Sequence, residues 1–309
     1  MKFTEFVGST NIDFMGLKKY AYVFSGILTL LGIIAIVLIL LGGANLGIDL
    51  RGGTVVQLKF GKPVRIDVAR SALTKNGLED AELQEFPKDN KLLIRLKKLI
   101  TPDEPVAEPV AEKVISIFRQ EFPDNTFVVD SSSEIGPTVG RKLQRDAVTA
   151  VVVAMIGIII YIAFRFEFRF GIAAAIATFH DVIAVLGIFY ILNKEINLLI
   201  ITALLTLAGY SLTDTVVVFD RIREYLRTRR KDPINVIINN GINHVLCRTL
   251  VTSFTTALVL IALVIFGGEV IHDFSLALLI GVIIGTYSSI FVASPLLLLW
   301  KRAPGILKK

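Results

Sequence analysis

Six long apolar runs, broken by one long polar stretch after the first of them, restrict what this chain can fold into. Each run is long enough to cross a hydrocarbon core of ~30 Å as a helix. Hydrocarbon offers no partner to a backbone N–H or C=O, so such runs must satisfy themselves as helices or closed barrels, and unbroken apolar runs select helices. The expected spans are residues 20–41, 147–164, 170–192, 197–219, 249–266 and 274–300. Tyr20 and Tyr22 sit at interface level at the start of the first, and Gly42-Gly43 closes it. Composition agrees: 53% hydrophobic, 19% charged and a mean hydropathy of +0.67 describe a polytopic membrane protein rather than a soluble domain. The first run is too long for a cleavable signal and lacks a small-residue cleavage site, so it is expected to stay as an anchor. The one cysteine, Cys247, excludes an internal disulfide and falls outside the polar stretch.

The charges between the runs set an orientation. Residues 164–170 carry Arg165 and Arg169, residues 221–231 carry Arg221, Arg223, Arg227, Arg229, Arg230 and Lys231, and the tail ends with Lys301, Arg302, Lys308 and Lys309. The alternate loops, 193–197 and 267–273, have little or no positive excess. The positive-inside rule then predicts a multi-pass protein of the cell membrane with both termini cytoplasmic. The expected domains are a cytoplasmic segment and first helix (1–42) and an extracytoplasmic domain (43–145). A five-helix bundle (146–300) with a cytoplasmic loop (220–248) and a cytoplasmic tail (301–309) follow. The net charge of +6 is accounted for by this placement, so nucleic acid is not an expected partner. The 221–231 cluster also fits an anionic-lipid or partner patch, and the orientation reading is preferred.

Within the polar stretch, 54–60 alternates like a strand, 66–76 closed by Gly77 reads as a helix, and 81–86 and 91–99 read as strands. Beyond a loop with Pro102, Pro105 and Pro109, 110–121 has helical periodicity and 126–130 is a final strand. The order β-α-β-β-α-β predicts a ferredoxin-like α+β domain, the alternative being strands of a larger sheet shared with a partner. Ser131-Ser-Ser133 and Gly136-Pro137 read as the linker back to the membrane. On the opposite side, 232–244 predicts a separate amphipathic helix, with Ile234, Ile237, Ile238, Ile242 and Val245 as its apolar stripe.

The chemistry concentrates on Asp214, five residues inside the end of the fourth run. A carboxylate in hydrocarbon costs at least about 3 kcal/mol on insertion scales, so it needs a partner, a water path or a proton. The bland alternative is an Asp that only bonds a neighbouring helix. Tyr210 lies one turn before it, and Arg221 two turns after, on the same face. Arg248, at the start of the fifth run, is a candidate partner, because consecutive antiparallel helices bring these ends together. Arg248, Thr252 and Thr255/Thr256 share one face, so a hydrated path is preferred over plain Ser/Thr packing. Asp181, in the third run, is a candidate relay residue, with His180 as a neutral helix-to-helix hydrogen bonder. Gly281 and Gly285 predict close helix packing. No nucleotide loop, metal-ligand cluster or nucleophile–base set is found, and Gly52-Gly53 has no phosphate-binding context. No cofactor, metal or enzymatic activity is therefore expected, and any work must come from an ion gradient or a partner.

Three stretches stand out: Gly209-Tyr-Ser-Leu-Thr-Asp214, Val218-Phe-Asp-Arg-Ile-Arg-Glu224 and Arg248-Thr-Leu-Val-Thr-Ser253. Phe266-Gly-Gly-Glu269, Asp273-Phe274 and Gly285-Thr-Tyr-Ser-Ser-Ile-Phe-Val-Ala-Ser-Pro295 complete the set. Together they resemble the SecF family of protein-export membrane proteins, the smaller subunit of the SecDF complex. Gly47-Ile-Asp-Leu-Arg-Gly-Gly53 looks more like the SecD form of its motif, while chain length favours SecF. The resemblance implies membership of the proton-driven RND superfamily and assistance of polypeptide export, powered by proton influx. It implies SecD, the Sec translocon channel, the translocating polypeptide and the lipid bilayer as partners. The family's fourth-span Asp and fifth-span Arg fall on Asp214 and Arg248. Two other classes remain: a half-size RND exporter of lipids or small molecules, and a non-titrating scaffold of the translocon.

Overall fold

A computed structural model describes residues 10–41, 43, 45–96, 109–229 and 231–300. The sequence-predicted features at 1–9, Gly42, 97–99, Pro102, Pro105, Arg230 and the tail 301–309 lie outside the described residues. The chain forms two compact units, Leu46–Thr149 and the remainder (1–45 with 150–309).

The smaller unit begins with a short helix, α2 (Ile48–Arg51), the membrane helix α1 preceding it in the chain. Then come β1 (Gly53–Phe60), α3 (Ile66–Lys75), β2 (Glu82–Phe86), β3 (Lys91–Leu96), α4 (Val110–Glu121) and β4 (Phe127–Ile135). The sheet order β2-β3-β1-β4, antiparallel throughout, is the ferredoxin-like split βαβ arrangement. Period-two alternation explains its core. Val56, Leu58 and Phe60 of β1 and Leu92, Ile94 and Leu96 of β3 turn one way, where Ala69, Ala72 and Leu73 of α3 and Val114, Ile117 and Phe118 of α4 cover them. Phe60, Phe118, Phe122 and Phe127 close one end with ring centroids 5.3–6.1 Å apart.

The serine run expected as linker is instead strand. Ser131, Ser132 and Ser133 pair with Gln57, Val56 and Val55, and β4 continues to Ile135 opposite Gly53. Serine's polar side chain suits this largely exposed edge strand, and the backbone ladder outweighs its weak strand preference. A register shift between Gln57 and Leu58 absorbs Asp130 as an extra residue. The Gly52-Gly53 pair is also explained by backbone geometry: φ is +79° at Gly52 and +144° at Gly53, both in the region that favours glycine. A side chain on Gly53 would meet the Leu96 carbonyl at 2.6 Å.

The larger unit holds α1 (Phe14–Leu40), α6 (Phe168–Ile191), α7 (Leu198–Thr228), α8 (Ile234–Phe266) and α9 (Gly268–Ser288), together with most of α5 (Pro137–Arg165). Six helices are long and apolar enough to cross a membrane. α6, α7 and the α9 region bury about half of their apolar windows, whereas α1, α5 and α8 expose most of theirs. Outward apolar faces such as Phe254, Leu258 and Val259 are what a helix surrounded by lipid or other apolar helices presents.

The predicted boundaries are too short at five places. α5 starts at Pro137, which was expected as linker, rather than at 147, and α9 starts at Gly268 rather than at 274. α1 begins at Phe14 because Asp13 caps it, accepting the Gly16 N–H at 2.9 Å. The Asn239 amide, followed by that N–H, holds the Asp13 carboxyl below its usual range. α7 runs on to Thr228, through the basic segment. The amphipathic helix expected at 232–244 is not separate but continuous with the fifth span. Ile237, Ile238, Ile242 and Val245 are buried against α7 and its neighbours, and no helix breaker stands between His244 and Arg248. In α9's continuation, Pro295 removes a backbone donor and the chain widens into a π turn at Ser289–Ala293.

Small residues allow two close helix contacts. Gly281 and Gly285 of α9 lie against Leu207 and Ser211 of α7, as the spacing predicted. Gly32 of α1 and Gly187 of α6 meet backbone to backbone, a contact the sequence analysis did not find.

Candidate functional site

Tyr210, Thr213, Asp214 and Val217 recur at i, i+3, i+4 and i+7, so they form one stripe of α7. Opposite them stand Arg248, Thr249 and Thr252 of α8, and the two stripes enclose a cavity of ≈ 190 Å³. That space is large enough for several water molecules. The structure therefore brings together four of the five predicted site residues: Asp214, Arg248, Tyr210 and Thr252.

The expected ion pair is absent, however. Asp214 Oδ2 is buried with no hydrogen-bond partner, and among the described residues Asp214 and Arg248 form no salt bridge. Thr249 and Ser289 are the hydroxyl neighbours of the carboxyl group, yet neither completes a bond of ordinary geometry with Oδ2. Leaving such an oxygen unsatisfied costs about 1–3 kcal/mol, a cost that a water or another donor at Oδ2 would relieve. Arg248 is exposed, which leaves its long side chain free to swing. Thr252 spends its hydroxyl on its own helix, donating to the Arg248 and Thr249 carbonyls at 3.0 and 2.9 Å. Tyr210 donates weakly to Ser253 Oγ at 3.5 Å, and Thr286 donates to the same atom at 2.6 Å.

Asp181 lies elsewhere, fully buried between α6, α7 and α9. Ser211 and Ser288 both donate to its Oδ2, the latter at 2.7 Å, and His180 Nδ1 lies 2.9 Å from Oδ1. His180 thus bonds its own neighbour rather than another helix, because the imidazole turns along α6; its Nε2 is buried without a partner.

Ser288 and Ser289 link the two regions. Adjacent residues on a helix point ~100° apart. One serine therefore reaches Asp181 on α6 while the other meets Thr215 of α7 at 2.9 Å, one residue from Asp214. Sequence reasoning names none of Ser211, Thr215, Ser288 and Ser289 as a site residue. The available signal was that Ser211 and Thr215 are spaced i, i+4 on the face of α7 away from Tyr210 and Asp214. Among the described residues no group of three or more His, Cys, Asp or Glu side chains comes together.

A bundle of six apolar helices, with a half-buried carboxylate beside a cavity and a small ferredoxin-like domain, defines a polytopic membrane transport protein. Residues 114–303 match the family described as "Protein export membrane protein SecD/SecF, C-terminal", and residues 37–64 match the "SecD/SecF GG Motif". The chain is 50% identical over 297 residues to the protein translocase subunit SecF of Thermodesulfovibrio yellowstonii, covering 96% of both chains. It is 40% identical to that of Escherichia coli O157:H7, covering 94% of this chain and 88% of the other. Among solved structures it is similar to SecDF, a translocon-associated membrane protein from Thermus thermophilus (TM-score 0.81, 35% identity). It spans 95% of its own length there but 39% of that longer chain. The super-membrane-facing form of SecDF matches with a TM-score of 0.67. The chain belongs to the SecF family of protein translocase subunits, a transport component of Sec protein export.

Proposed function

We propose that this chain couples proton influx to polypeptide translocation on the outer side of the membrane, with Asp214 as the proton-binding group. The carrying observation is the buried, unpartnered Oδ2 of Asp214 beside a cavity that also holds Arg248, Tyr210 and Thr252. Protonation removes the charge, and deprotonation restores an attraction that Arg248 is placed to answer. Asp181, bonded through Ser288 next to Ser289 and Thr215, is a secondary relay position. The chain acts as a transport subunit rather than an enzyme. It is incomplete alone, with SecD, the Sec channel, the translocating polypeptide and the bilayer as partners; the match to a SecDF chain supports the first of these. Export into inverted vesicles, with and without a proton gradient, tests this reading. A gradient response that persists when the chain is removed would end it.

The proposed orientation puts both termini in the cytoplasm and residues 43–145 outside, on the strength of the loop charges. In a Cys247→Ser background, an impermeant thiol reagent added outside intact cells is expected to label Asn90→Cys and to spare Arg229→Cys. The reverse pattern would invert the topology.

A further inference from the structure

A second cavity adjoins the first. It has a volume of ≈ 510 Å³ and is lined by Val217, Asp220, Arg221 and Glu224 of α7 and by His244, Val245 and Arg248 of α8. Val217 and Arg248 line both cavities, so the two meet at those residues. His244 and Arg248 are spaced i, i+4 and share one face of α8. The cavity thus runs along the α7–α8 hairpin from Arg248 toward the basic end of the helices.

We infer that this second cavity is the proton exit on the cytoplasmic side, with His244 as its proton carrier and Arg248 as the divider from Asp214. The inference rests on the proton-coupled reading given above. Arg221 reaches His244 Nδ1 at 3.1 Å through one terminal nitrogen, and through the other it bonds Glu224. Since a guanidinium can only donate, Nδ1 is the acceptor, and the neutral ring keeps its proton on Nε2.

Among the described residues, the charged groups that line this cavity with His244 come from α7 and α8. From α7 come Arg221, Glu224 and the Tyr225 ring at 6.2 Å, with Asp220 held by Arg165 of α5 at 2.9 Å. From α8 itself comes Arg248. Within this cavity Asp220 and Glu224 are both engaged with arginines, whereas His244 can exchange a proton by trading one hydrogen bond.

The step balances simply. Asp214 gives its proton to water filling the cavities and returns to carboxylate. His244 takes a proton at Nδ1, and Arg221 withdraws from that nitrogen while keeping its bond to Glu224. The imidazolium then loses its Nδ1 proton to cytoplasmic water, and Arg221 returns to the bare Nδ1 of the neutral Nε2–H ring.

The test uses the intact chain with its SecD partner in proteoliposomes, where an imposed gradient drives protons inward and a pH dye reads the cytoplasmic-side compartment. His244→Gln still accepts from Arg221 but carries no proton. Proton influx is expected to fall about tenfold or more. Imidazole buffer on the cytoplasmic side should restore it, as a merely structural defect would not allow. Full influx in His244→Gln, or a loss that imidazole fails to rescue, overturns the inference. Asp214→Asn in the same assay should be silent with or without imidazole; full influx there overturns the underlying reading instead. A second arm leaves the histidine in place: Val217→Cys in the Cys247→Ser chain should react with a small charged thiol reagent from the cytoplasmic side. Protection of that thiol means the cavities are dry and also overturns the inference.

Discussion

Asp214→Asn is expected to abolish the proton-dependent part of export while leaving insertion, folding and assembly with SecD near those of the parent chain. Asparagine keeps the shape and the hydrogen-bonding capacity of the side chain and deletes its titration. Because Oδ2 has no partner in the fold and asparagine keeps the other oxygen as an acceptor, stability should change by less than about 1 kcal/mol. Arg248→Met is expected to be inactive in the same way. Its stability should also hold, since Arg248 is exposed and makes no ion pair with Asp214 in this arrangement. Inverted vesicles with and without a gradient read the activity, and co-purification with SecD reads the assembly. An Asp214→Asn chain that still responds to the gradient would falsify proton binding there and leave a scaffold.

Gly187→Val should have the largest effect on the fold. A Cβ on Gly187 would lie 2.7 Å from the Gly32 nitrogen and 2.8 Å from its Cα, and one on Gly32 would lie 2.2 Å from the Ile183 carbonyl oxygen. These obstacles are backbone atoms, which cannot rotate away, so α1 and α6 must move apart. Overpacking a tight core costs about 1–3 kcal/mol even when side chains can yield, and a helix–helix backbone clash belongs at or beyond the top of that range. The thermal unfolding midpoint of the purified chain in detergent should drop by several degrees. Gly26→Ala and Gly157→Ala are the matched controls, since nothing stands within 4 Å of a Cβ at either site. Both should be neutral or slightly stabilising, because alanine is the better helix former. An equal drop in the controls would show that glycine flexibility, and not the close approach, matters.

Much of this was legible because hydropathy and charge act locally. The spans, the β-α-β-β-α-β order and the pairing of faces around Asp214 follow from periodicity within single segments. What escaped depends on partners distant in sequence. The 131–133 serines became strand because Gln57, Val56 and Val55 supply a ladder. The helix around His244 merged with the fifth span because α7 continues beside it to Thr228. The Gly32–Gly187 contact joins two glycines with no common spacing to mark them. At the site, complementary charges suggested a bonded pair, whereas the fold holds Asp214 and Arg248 across a cavity.

The unbroken length of α8 has a mechanical consequence. At 1.5 Å per residue, its 33 residues make a rod of about 50 Å, well beyond the ~30 Å hydrocarbon core. Arg248 stands about 20 Å from one tip and about 27 Å from the other, near the middle, where a fulcrum would sit. A tilt of about 5° at that level would move either tip by roughly 2 Å. One arm is tied to the start of α1: Asn239 accepts the Met15 N–H at 3.0 Å and donates to Asp13 at 2.7 Å. Asn243 in turn bonds both the N–H and the carbonyl of Ile12, at 3.0 and 2.9 Å. A change of charge at mid-length would therefore be geared outward through both ends of a rigid beam, and the first helix would be pulled along with it.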